Sequence, residues 1–173
     1  MRGKHMVCSN VGDSRAVIGY IRNGHAHPLQ LSIDHSTSVP SEVERIRASG
    51  GRICPWIAKH GDDGPPRVWL KNVWTPGLTK TRTFGDLIAS TIGVNSEPQF
   101  LSHRLRTEDR FLIIASNGLW EMISTKEAVR IVAKISTKES PEVWCKVLIA
   151  EAVRRWRSRT DTVDDISVII IYF

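Results

Sequence analysis

The sequence predicts an α+β fold in which antiparallel sheet is covered by helices. Three observations carry this expectation. Strand-like and helix-like stretches fall into blocks rather than alternating strictly along the chain. Two runs, RFLIIAS and ISVIIIYF, are apolar without clean alternation, as strands buried on both faces are, and so belong at the centre of a sheet. Asn23-Gly24, set between β-branched stretches, is the strongest two-residue hairpin signal.

Taken in order, VCSNVGDSRAVIGYIRNGHAHPLQLS reads as a meander punctuated by Gly12-Asp13 and Asn23-Gly24. His25 and His27 lie just beyond that turn and read as solvated hairpin histidines rather than ligands. PSEVERIRASGG has the grammar of a short helix: Ser41 as cap, Glu44 closing a capping box, Val43 and Ile46 facing inward, Gly50-Gly51 as the stop. Between Arg52 and Gly77 the chain is rich in Pro and Gly, which predicts a surface excursion or hairpin without a domain boundary.

After RFLIIAS, Ser124 and Glu127 repeat the capping-box pattern, and Ser140-Pro141 sets a cap and a first helical position. In that last helix Trp144, Leu148, Ala152 and Trp156 recur every four residues, the spacing of a core-facing stripe.

Bulk properties narrow the class. With 41% hydrophobic residues over 173 positions the chain can bury a real core. Its net charge of +6 would suit an anionic partner, but much of the excess sits in RRWRSR (Arg154–Arg159) at a helix end, where cations complement the dipole. No zinc-finger or RNA-recognition pattern accompanies it, so no nucleic-acid partner is expected. Cys8, Cys54 and Cys145 are odd in number and form no C-x-x-C pair, which argues against a disulfide framework or zinc site and for a reducing compartment, cytoplasmic or nuclear. No apolar run approaches the roughly 18 residues that span a bilayer, so no membrane role is expected.

Acidic or amide groups stand at strand ends: Asp34 after LQLSI, Asn117 and Glu121 after RFLIIAS, Asp164-Asp165 before ISVIIIYF. If the two apolar runs pair antiparallel, the exit of one lies beside the entry of the other, and Asn117 and Asp164 reach one edge. Oxygen donors without His or Cys suit hard cations such as Mg²⁺ or Mn²⁺. The same residues are also ordinary turn chemistry, and spacing alone leaves both readings open.

The succession NVGDSRAV, LSIDH, EVERIRASGGRI, PGLTKTRTFGD, GVNSEPQ, FLIIASNGLWEMISTKEAV and DDISVIII resembles the metal-dependent, type 2C serine/threonine protein phosphatases over essentially the whole chain. The resemblance implies a sandwich of two antiparallel sheets flanked by helices. It also implies hydrolysis of phosphoserine and phosphothreonine in phosphoprotein substrates by a water activated at a centre of two or more Mg²⁺ or Mn²⁺ ions. By position, Asp164 matches the C-terminal metal aspartate of the family, and Asp34 and Glu121 match carboxylates associated with an additional metal. Asn117 falls where the family has aspartate in D-G-L-W-[DE]; the change keeps a carbonyl donor and removes a negative charge. In LTKTRTFGD, Arg82 and Asp86 read as loop stabilisers.

The family's upstream D-G-H aspartate and phosphate-gripping arginine have no counterpart here. Residues 1–173 are therefore expected to be a single partial domain, its N-terminal part missing and apolar sheet edges exposed. Two functions follow: the C-terminal portion of a phosphatase, weak or inactive alone, or a pseudophosphatase that docks a partner without turnover.

Overall fold

The computed structural model describes residues 3–56, 64–135 and 139–173. In chain order the elements are β1 (His5–Asn10), β2 (Arg15–Arg22), β3 (His25–Gln30), α1 (Pro40–Ala48), β4 (Arg52–Cys54), β5 (Arg67–Trp69) and β6 (Pro76–Leu78). There follow α2 (Leu87–Ser90), β7 (Gln99–Arg104), β8 (Asp109–Ala115), α3 (Asn117–Trp120), α4 (Thr125–Lys134), α5 (Pro141–Arg159) and β9 (Val168–Tyr172). They gather into two compact units, the first made of Met1–Asn10, Ser14–Ile33 and Phe100–Phe173, the second of Val11–Asp13 and Asp34–Gln99.

In the first unit a four-stranded sheet runs β3-β2-β8-β9, and β1 pairs with β7 in a second, two-stranded sheet. The β2–β3 hairpin closes on Asn23 (φ 54°) and Gly24 (φ 74°), the two positive-φ residues that a tight turn matching the strand twist requires. Side chains alternate across the sheet. Val17, Phe111, Ile113, Ala115 and Ile170 pack with the helices, while Ala16, Ile18 and Leu112 pack with Met6 of β1 and Leu31. Antiparallel sheets in two layers with helices outside make the α+β architecture anticipated from the sequence.

RFLIIAS and ISVIIIYF do pair antiparallel, from Ala115↔Val168 to Phe111↔Tyr172. One expectation fails: β9 lies at the sheet margin, not its centre. Its helix-facing Ile170 is buried, but Ile169 and Ile171 on the other face are 56% and 41% exposed. With Val7 and Ile114 they leave an apolar face open.

Helix α4 begins with the full anticipated box: the Ser124 hydroxyl accepts from Glu127 N, and the Glu127 carboxylate accepts from Ser124 N. Ser140 and Pro141 occupy the cap and first position of α5, although the Ser140 side chain makes no capping bond. All four residues of the predicted stripe are buried. Arg155 is tied to Glu127 and Glu151, and Arg154 to Glu151.

In the second unit, α1 packs beside the β4-β5-β6 sheet over a core of Ile46, Val68, Ala89, Ile92 and Val94. The Arg52–Gly77 stretch forms this sheet by way of a β4–β5 hairpin, with residues 57–63 outside the described residues. The cap of α1 is Val39 rather than Ser41, because Pro40 takes the first helical position where its missing N–H costs nothing. Ser41 then falls inside the first turn, and the expected capping box with Glu44 does not form.

Candidate metal centre

Each β8–β9 ladder bond leads toward one edge, and there the two segments lock together. Ser116 N donates to Ser167 O at 3.0 Å, and Ser167 N donates to the Ser116 hydroxyl at 3.0 Å. That hydroxyl in turn donates to Asp165 O at 3.1 Å. Gly118 completes the closure, since a Cβ built on it would lie 2.5 Å from Asp165 O. The segment carrying Asn117 is thus held against the segment carrying Asp164.

Asn117 is not in a left-handed turn. It is the first residue of the single helical turn α3, whose cap position is Ser116, so the reading of Asn-Gly as turn chemistry fails. Two buried indoles fix this turn from below: Trp120 Nε1 donates to Ala115 O at 2.9 Å and Trp156 Nε1 to Gly118 O at 2.7 Å. Arg15 reaches over Trp120, 5.2 Å from the ring centre, and donates to the Thr125 hydroxyl at 2.7 Å. The supports from Trp156 and Arg15 carried no sequence signal, because their partners lie 38 and 110 residues away in the chain.

At the exposed rim the Asn117 side-chain amide donates to the Glu121 carboxylate, Nδ2 to Oε2 at 3.3 Å. Among the described residues Asn117 Oδ1 has no hydrogen-bond donor. Asp164 accepts from Asp165 N through Oδ1 at 2.8 Å. The oxygen donors carried by these two segments, Asn117 Oδ1 and the carboxylates of Glu121 and Asp164, are of the kind that suits hard cations. Among the described residues no group of three or more His, Cys, Asp or Glu side chains is gathered to hold a metal. Asp34 lies in the second unit, half-buried, its backbone oxygen accepting from Ser36 N.

Within that second unit, Arg82 and Asp86 stabilise loops as expected. Asp86 Oδ1 caps α2 by accepting from Ala89 N at 2.8 Å. Arg82 grips Glu42 through Nη2 at 2.7 Å, and Arg45 and the Thr81 hydroxyl bind the same carboxylate at 2.6 and 2.7 Å. Burial alone would raise the pKa of Glu42, but the hydrogen bonds from Arg82, Arg45 and Thr81 outweigh it and hold the carboxyl well below the usual range. Glu42 is 2% exposed; sequence reading missed it because its partner Arg82 lies forty residues on.

The family model described as protein phosphatase 2C matches residues 1–161. Over 174 residues the chain is 35% identical to the probable protein phosphatase 2C 12 of Oryza sativa subsp. japonica, covering 99% of this chain and 43% of that protein. Over 172 residues it is 37% identical to the probable protein phosphatase 2C 72 of Arabidopsis thaliana, covering 99% and 51%. The chain thus spans about half the length of these curated relatives. Its fold is like that of a serine-threonine phosphatase 2C from Toxoplasma gondii, with a TM-score of 0.81 at 21% identity over 99% of this chain and 55% of that one. A C. elegans sex determining protein gives 0.73 at 22% identity, over 98% and 37%.

Proposed function

The chain belongs to the protein phosphatase 2C family, and on that premise we propose that it is the C-terminal portion of a Mg²⁺- or Mn²⁺-dependent serine/threonine phosphatase domain, weak or inactive by itself. Members of this family are protein phosphatases; the substrates here are phosphoproteins, met in the cytoplasm or nucleus. No described helix is long and apolar enough to cross a membrane.

The observation that carries the reading is the closure of the Asn117 segment on the Asp164 segment through Ser116 and Gly118. Asp164 and Asn117 Oδ1, with Glu121 beside Asn117, are donors of the kind one hard cation takes, with water completing its shell. They do not fit a two-ion centre unaided, since the Asn117 amide offers no charge and its nitrogen is given to Glu121. Asp34 is assigned to an additional ion. When bound, such ions supply an activated water and neutralise phosphoryl charge. The residues of this chain contribute a rigid edge that holds two carboxylates without asking the protein to reorganise.

The amide at 117 favours a second reading, a pseudophosphatase that docks a phosphoprotein without turnover. An assay of the chain with a phosphothreonine peptide and Mn²⁺ separates the readings from a self-sufficient enzyme. No turnover is expected. Hydrolysis abolished by EDTA and by Asp164→Ala would contradict the proposed dependence on a larger domain. Mn²⁺ binding that Asp164→Ala does not weaken would remove the metal reading and leave the docking module.

A further inference from the structure

The net charge of the chain is not spread evenly. In the first unit sixteen Lys and Arg stand against ten Asp and Glu, while in the second eight stand against eight. The whole excess of +6 therefore belongs to the unit that carries Asn117 and Asp164. Within that unit Glu121, Asp164 and Asp165 sit on the two segments that meet at the Asn117 edge, and cations collect at the opposite end of β2.

Arg15, at the start of β2, pairs with Ala115 beside that edge; Arg22, seven residues on, is about 23 Å away. The hairpin register sets Tyr20 opposite His27 and Arg22 opposite His25. Because side chains alternate along a strand, these four share one face of the sheet. The Tyr20 and His27 rings stack, centroids 5.4 Å apart at 23°. Arg106, from the turn between β7 and β8, lies 5.8 Å from the Tyr20 ring centre. That turn is joined to β2 by Ile21 N, which donates to Glu108 O at 2.9 Å.

Arg22, His25, His27 and Arg106 are all exposed. Arg22, His25 and His27 make no side-chain hydrogen bond or ion pair among the described residues. Arg106 is loosely engaged, its Nε 4.0 Å from Asp109 Oδ1 and its side chain 54% exposed. Of the acids in the adjoining turn, Asp109 is buried and its Oδ2 lies 2.8 Å from both His103 Nε2 and Arg106 N. Glu108 accepts from the Thr107 hydroxyl at 3.1 Å.

The face thus offers two guanidinium groups and two imidazoles on a fixed hairpin, around an aromatic stack. Two cations fall short of the roughly six to ten phosphate contacts of a nucleic-acid interface. They match one phosphoryl group, which carries roughly two charges and three acceptor oxygens, and arginines are the recurring means of holding such a group on a peptide.

We propose that this face docks a phosphorylated serine or threonine of a phosphoprotein without hydrolysing it. Arg22 and Arg106 pair with the phosphoryl oxygens, and His25 and His27 donate N–H to them. The choice of a phosphoprotein rests on the phosphatase reading above; the metal centre takes no part in docking.

Titrating the ¹⁵N-labelled chain, in EDTA, with a phosphothreonine peptide flanked by Ala and Gly tests this, with the His25 and His27 imidazole resonances as readout. Saturable shifts at both are expected. Arg22→Gln and Arg106→Gln should each weaken binding about threefold, the scale of an exposed ion pair, and together about tenfold. Arg22→Glu should abolish binding and leave Mn²⁺ affinity equal to the parent's. Since the peptide is titrated without metal, failure of docking and failure of the metal reading are separate results. The proposal is overturned by the absence of a saturable shift at His25 and His27, or by undiminished binding in Arg22→Glu. It is also overturned if the unphosphorylated peptide binds equally, or if a single-stranded RNA oligonucleotide binds more tightly than the phosphopeptide.

Discussion

Gly118 lies so close to Asp165 that a Cβ on it would sit 2.5 Å from the Asp165 carbonyl oxygen and 3.2 Å from Ile166 Cγ1. The glycine is there for approach, not for an unusual backbone angle: its φ is not among the positive ones. Gly118→Ala should force the two segments apart and cost about 1–3 kcal/mol, as overpacking does. Urea unfolding checks the loss. Mn²⁺ binding should weaken in the same variant.

Ser116 holds the same contact by hydrogen bonds, donating to Asp165 O and accepting from Ser167 N. Ser116→Ala removes both and should destabilise by about 1–2 kcal/mol with an unchanged denaturant slope. Restoring small size without the hydroxyl does not help, so Ser116→Gly should be no better than alanine.

Glu42 governs the acid limb of stability. Its folded pKa is held below the ordinary carboxylate value of 4.5, so its contribution is fully present above that pH and is lost as the pH falls toward the folded value. Glu127, held at about 2 by Arg155 and Ser124, drains between 4.5 and about 2 in the same sense. Glu42→Gln should cost about 3 kcal/mol near neutral pH by leaving Arg82 and Arg45 short of a partner. It should also flatten the fall in stability between about pH 5 and about pH 3, measured by unfolding at each.

What could be read from the sequence was what neighbouring residues decide. The Ser124–Glu127 box, the Ser140-Pro141 start and the stripe from Trp144 to Trp156 depend on spacings of one to four residues. Composition marked the two apolar runs as strands; their antiparallel pairing was a supposition that the structure bears out, and it decides which loops meet. What escaped depends on partners far along the chain. Whether β9 is central or marginal is a property of the whole sheet, and apolar content cannot tell an inner strand from a marginal one. Ser41 lost the cap because Pro40 competes one residue earlier. Gly118 looked like half of a turn, since its contact with Asp165 is visible only once β8 and β9 are paired.

The proposal that the Asn117 edge is a metal site short of one charge is tested most directly by Mn²⁺ titration calorimetry on the parent chain, Asn117→Asp and Asn117→Asp/Asp164→Ala. Restoring the carboxylate beside Glu121 and Asp164 should tighten binding about tenfold, or about 1.4 kcal/mol, and the double variant should lose the gain. Without metal, Asn117→Asp should melt lower than the parent, because it adds an anion beside Glu121. Equal affinity for parent and Asn117→Asp, or a gain that survives Asp164→Ala, would contradict the account.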